Sequence, residues 1–143
     1  MIRKIEHLGI AVQSIEESLS IYEKLLGAKS YKLEVVDSEH VKTAFVMIGE
    51  SKIELIEATN PDSAIGKFLQ KKGKGFHHVA FDVDDIHAEI RRLQKEGFEL
   101  IHAIPKDGAD NKLIAFLHPK STDNLLVELC QEKNLNSSSG SFR

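Results

Sequence analysis

A register of 71 residues runs through this chain and limits its fold more than any other feature. His7 and His78 obey it, as do Val12 and Val83, Ile15 and Ile86, and the pairs Ala44-Phe45 and Ala115-Phe116. A fixed offset over such a span marks an internal repeat, so the fold is built from two like units. Beyond the phenylalanines the second unit lengthens: Phe45 to Glu54 is nine residues, Phe116 to Glu128 twelve, with the extra length in the turn PKSTDN. Glu54 therefore matches Glu128.

Each unit reads as strand, helix and three strands. HLGIAV suits a strand, and Ser14 to Gly27 suits an amphipathic helix with apolar Ile15, Leu19, Tyr22, Leu25 and Leu26 at helical spacing. Ser14 is a natural N-cap with Glu17 three residues on, and Gly27 supplies the stop. SYKLEVV, VKTAFVMIG and SKIELIE follow as antiparallel strands. The order returns with HVAFDV, a helix capped by Asp84 or Asp85 and stopped at Gly97, and the runs FELIHAI, KLIAFLHP and NLLVELC. This is an α+β pattern of two βαβββ units, over 1–57 and 75–131, with a short helical linker over 58–74 and a polar tail over 132–143 expected to be disordered.

Composition narrows the function. The net charge is −3 with no basic stripe, which argues against a nucleic-acid binder. Cys130 is the one cysteine, set in an apolar run and expected to be buried. No apolar run approaches membrane-spanning length, and the start goes straight into a strand pattern, so a cytoplasmic protein with no membrane partner is expected. Lys67, Lys71, Lys72 and Lys74 around the linker read as a solvated face, with a phosphate-bearing substrate tail as the sharper alternative.

Chemistry concentrates where the repeat does. In each unit a histidine opens the first strand and a glutamate interrupts an apolar last strand. A carboxylate in such a run is costly to bury unless paired. Two of them, each matched to a histidine, predict that His7, Glu54, His78 and Glu128 converge on one divalent cation with positions left open for substrate. The competing reading puts both glutamates on solvent-facing positions of edge strands. In GFHHVAFDVDD the register selects His78 as the ligand; His77 matches Glu6 and reads as an ordinary strand-edge residue.

HLGIAV, KIELIEATNPDSAIGKFL, GFHHVAFDVDDI and AFLHPKSTDNLLVELCQ resemble the vicinal oxygen chelate superfamily, and within it the methylmalonyl-CoA epimerase family, over about Ile2 to Gln131. The resemblance implies a metal-dependent isomerase acting on an acyl-CoA, with metal ligands His7, Glu54, His78 and Glu128. It implies Co²⁺ first, then Mn²⁺, Ni²⁺, Zn²⁺ or Mg²⁺, and a homodimer. Some relatives carry glutamine at the Glu54 position.

Removing the C2 proton of such a substrate leaves an enolate, whose charge on the thioester oxygen a bound cation would stabilise. Epimerisation needs acid/base groups on both faces of C2. The resemblance implies Glu128 for one. For the other, this chain has DSEHV where relatives have a glutamate, with Ser38 at that position. Glu39 is the nearest substitute, with His40 or a water relay as alternatives and a plain surface role for Glu39 and His40 equally open. His87, His102 and His118 have no repeat partner, while Lys120 and Ser121 could meet substrate or only shape their turn. Glyoxalase I type lactoylglutathione lyases share the ligand cage, and bleomycin-resistance binding proteins share the units; the HPKST turn and the complete ligand set favour the epimerase.

Overall fold

The computed structural model describes residues 1–133. The chain runs β1 (Ile2–Ala11), α1 (Ile15–Leu26), β2 (Lys32–Val36), β3 (Val41–Ile48), β4 (Ser51–Ala58), α2 (Ala64–Lys72), β5 (Gly75–Val83), α3 (Ile86–Lys95), β6 (Lys106–Gly108), β7 (Lys112–Leu117) and β8 (Val127–Glu132). All the strands form one sheet in the order β2-β3-β4-β1-β5-β8-β7-β6. β1 runs parallel to β4 and β5 parallel to β8, while β1 and β5 meet antiparallel at the centre. Each half of the sheet is thus one βαβββ unit, and the seam joins their first strands. Among the described residues, no helix is long and apolar enough to cross a membrane.

Local chemistry sets the helix ends. Ser14 Oγ accepts from Glu17 N–H at 3.3 Å, and Gly27 ends α1 in the left-handed conformation at φ 68°. At α3 the cap is Asp85, whose carboxylate accepts from Ala88 N–H at 3.1 Å. Ile15 of α1 packs with Ala44, Ile53 and Leu55, and Ile86, Ile90 and Leu93 of α3 pack with Ala115, Val127 and Leu129. Strand alternation then sends the next residues to the other face. There Thr43, Phe45, Glu54, Ile114, Phe116 and Glu128 line a cavity of about 340 Å³, with Ile65 of α2 against Ile56 at one end. The matched dipeptides show the logic: alanine faces the helices and phenylalanine the cavity.

The sixth strand departs from expectation. FELIHAI keeps an isolated bridge at Leu100 to Leu117 and a bond from Ile101 N–H to Phe116 O at 2.8 Å, but the paired strand lies later, at Lys106–Gly108. Pro105 between them has no N–H to give a ladder, and Ile104 is 81% exposed, so the apolar pattern there is not a buried one. The tail expected over 132–143 lies outside the described residues from 134 onward, while Glu132 ends β8.

The sheet curls until its outer ends meet. Asp110, in the β6–β7 turn, accepts from Tyr31 Oη at 2.6 Å, Lys52 Nζ at 2.8 Å and Lys32 Nζ at 3.2 Å, and its N–H donates to Glu34 Oε1 at 2.8 Å. A second tie crosses the cleft, from Lys106 Nζ to Glu39 Oε2 at 2.7 Å.

Candidate metal centre

The seam places the candidate ligands. Gly9 of β1 pairs with His78 of β5 and with Glu54 of β4; Ala80 of β5 pairs with His7 of β1 and with Glu128 of β8. A small residue thus sits beside each histidine and glutamate. At Gly9 the room is essential, since a Cβ there would stand 2.1 Å from His78 Cε1.

The four side chains converge. His7 Nε2 lies 3.0 Å from His78 Nε2, 3.2 Å from Glu54 Oε1 and 3.4 Å from Glu128 Oε1. His78 Nε2 lies 3.0 Å from Glu128 Oε1 and 3.6 Å from Glu54 Oε1. Donors bound about 2.1 Å from one cation stand about 3.0–3.4 Å apart, so this set fits a divalent ion of the nitrogen- and oxygen-preferring kind. The glutamates are only 6% and 5% exposed, which removes the solvent-facing alternative.

Sequence neighbours hold the imidazoles from behind. His7 Nδ1 is 2.6 Å from Glu6 Oε1, so Nδ1–H donates to that carboxylate and Nε2 faces inward. His78 Nδ1 is 2.9 Å from His77 Nδ1, and the His77 ring stands edge-on to Phe68 of α2 with centroids 4.8 Å apart. Glu6 also pairs with Lys52 Nζ, which Asp110 holds in turn.

Charge follows this arrangement. Burial works against the charge on His7, yet Glu128, Glu54 and Glu6 hold its pKa well above the ordinary histidine value. Burial likewise raises Glu128, but the two imidazoles outweigh it and hold its carboxyl well below the usual range. Glu6 is brought down to about 2 against its burial by hydrogen bonds from His7 and Lys52. Burial and the neighbouring His78 push His77 down to about 4.

Other residues divide clearly. Glu39 ends a 3₁₀ turn at Asp37–Glu39 and lines the cavity, whereas Ser38 does not. His102 also lines it. His118 caps the turn Pro119–Ser121 by accepting from Lys120 N–H at 3.2 Å, Ser121 Oγ accepts from Glu99 N–H at 2.9 Å, and Lys120 pairs with Glu99 at 3.1 Å. Those three shape the longer turn. Lys72 Nζ lies over Phe68 at 5.9 Å, and Cys130 is a buried free thiol whose pKa burial pushes up.

Sequence reasoning missed Glu6, His77, Lys52 and Asp110. In a regular strand, neighbours point to opposite faces, so a residue beside a ligand reads as turned away. A β-bulge at Glu6 and another at His77 overturn this: pairing jumps from Ile5 to His7 on β1 and from Phe76 to His78 on β5. His77 is therefore no strand-edge residue but a central one folded back beside the centre.

The Glyoxalase/Bleomycin resistance protein/Dioxygenase superfamily matches residues 6–116. The chain is 41% identical over 130 residues to Uncharacterized protein YqjC of Bacillus subtilis (strain 168), covering 91% of this chain and 93% of that one. It is 40% identical over 130 residues to the mitochondrial methylmalonyl-CoA epimerase of Dictyostelium discoideum, covering 90% and 78% respectively. A solved methylmalonyl-CoA epimerase in complex with methylmalonyl-CoA and NH4+ superimposes with a TM-score of 0.90 at 31% identity, covering 94% of this chain and 98% of that one. By family match, sequence identity and superposition together, the chain belongs to the methylmalonyl-CoA epimerase family of the glyoxalase/bleomycin resistance protein/dioxygenase superfamily.

Proposed function

We propose that the protein is a methylmalonyl-CoA epimerase, an isomerase that interconverts the (2R) and (2S) forms by moving the C2 proton. The observation that carries this reading is the meeting of two imidazole nitrogens and two carboxylates in one cleft, in a chain whose relatives bear that name. A divalent cation held by His7, Glu54, His78 and Glu128, Co²⁺ first and otherwise Mn²⁺, Ni²⁺, Zn²⁺ or Mg²⁺, would supply a Lewis acid for the thioester oxygen and the substrate carboxylate.

The chain's own residues then divide the proton work. Glu128, whose carboxylate faces the cleft beside both imidazoles, takes or returns the proton from the second unit. Glu39 serves the opposite face from the first unit, its carboxylate held at the cavity by Lys106. Val41, Ile56, Ile65, Ile114 and Phe116 give the cavity an apolar wall, against which the enolate is shielded from side reactions while the two carboxylates exchange their protons with solvent. The cavity, about 340 Å³, suits the acyl head, with the CoA arm running out of the mouth. We further place the enzyme in the cytoplasm as a homodimer; its one buried thiol accords with a reducing compartment.

Incubating Co²⁺-loaded protein with (2S)-methylmalonyl-CoA in D₂O tests the function. Deuterium should enter C2 as the (2R) form appears. Absence of both with every one of the five cations sinks the assignment, and turnover of a glutathione hemithioacetal instead would favour the lyase.

A further inference from the structure

Two of the three register shifts between β1 and β5 lie at repeat-related positions, Glu6 and His77 being 71 residues apart like the ligands they precede. A bulge breaks ladder pairing and is kept where a side chain must be re-aimed. Here each turns a side chain that strand alternation would send away onto the outer nitrogen of its own neighbour: Glu6 onto His7 Nδ1 at 2.6 Å, His77 onto His78 Nδ1 at 2.9 Å. We propose that Glu6 and His77 are a matched pair of positioning residues, which fix the ligand histidines in the Nδ1–H tautomer with Nε2 lone pairs aimed at the shared cation. This inference rests on the metal-centre reading above.

The two supports differ in kind. Glu6 can only accept from His7 Nδ1–H. Between the two Nδ1 atoms at 2.9 Å there is one proton; it belongs to His78, because a cation at the point that His78 Nε2 shares with two carboxylates and the His7 nitrogen would take the Nε2 lone pair. His77 then accepts at Nδ1 and carries its proton on Nε2. The edge-on ring of Phe68 holds His77 in place, so the linker helix contributes to the centre although it supplies no ligand. Lys52, itself held by Asp110 of the other unit, does the same for Glu6.

Co²⁺ titration of the whole protein, followed by the visible d–d absorption, tests this. His77→Leu removes the acceptor and should weaken Co²⁺ binding by about 10–100-fold and shift the spectrum, whereas His77→Asn, whose Oδ1 can replace Nδ1, should recover most of both. Glu6→Gln, which keeps an acceptor without charge, should fall between. Wild-type affinity and spectrum in His77→Leu overturn the inference alone; wild-type protein that takes up no Co²⁺ overturns the metal-centre reading with it. A readout without variants stands beside these. In ¹⁵N spectra of the Zn²⁺-loaded protein, His78 should carry its proton on Nδ1 and His77 on Nε2, and the reverse for His77 overturns the inference.

Discussion

A methyl group on Gly9 would stand 2.1 Å from His78 Cε1 and 2.3 Å from Nδ1, so Gly9→Ala must displace that ring. Overpacking of this kind costs about 1–3 kcal/mol, and the ring cannot move without leaving both His77 and the ligand cluster. We expect Co²⁺ affinity to fall by at least about 10-fold, which a titration would read. The catalytic carboxylates invite a sharper comparison. Glu128→Gln should abolish deuterium exchange at C2. Glu39→Gln should lower epimerisation by about 10²–10⁴-fold, whereas Ser38→Ala should be nearly silent, since Ser38 does not line the cavity. Equal losses in the two would remove Glu39 from its role. The ligand quartet was legible because repetition singled out residues that a single unit would have left ambiguous. Glu6 and His77 were not, because a bulge leaves no mark in hydrophobic alternation.

Most elements were equally legible, since caps and apolar spacing agree over α1, α3 and most strands of both units. Ser14→Ala should cost about 1 kcal/mol in urea unfolding, the usual loss for an N-cap. The exception, FELIHAI, carries strand-like residues whose apolar side chains stand in solvent, and pattern cannot tell such a segment from a packed one. What orders the arm that follows is ionic. Burial raises the Asp110 carboxyl, but Lys52, Tyr31 and Lys32 outweigh it and hold it below its ordinary value of 3.8. A carboxyl depressed in the fold stabilises it above the ordinary pKa and ceases to as pH falls through the folded one. Asp110→Asn should therefore cost about 0.5–1 kcal/mol at neutral pH, discounted because the cluster reaches solvent through Lys32, and the gap to wild type should close below about pH 4. A gap that stays constant to pH 3 would assign the turn's order to something other than this charge.

For the molecule as a whole, ligands drawn equally from both units make the cation a link between them. Binding to the folded chain alone stabilises it by about 2.7 kcal/mol at a hundredfold excess over Kd, and about 2–4 °C in Tm accompanies each kcal/mol at this size. Scanning calorimetry with Co²⁺ and then with EDTA should show a rise of roughly 5–11 °C and its reversal. The even split also dictates an order of events in assembly. Glu128 lies 121 residues after His7, so no stretch of nascent chain short of β8 can complete the coordination set. The full grip on the ion is thus the last thing synthesis supplies, a keystone whose final face is cut by β8.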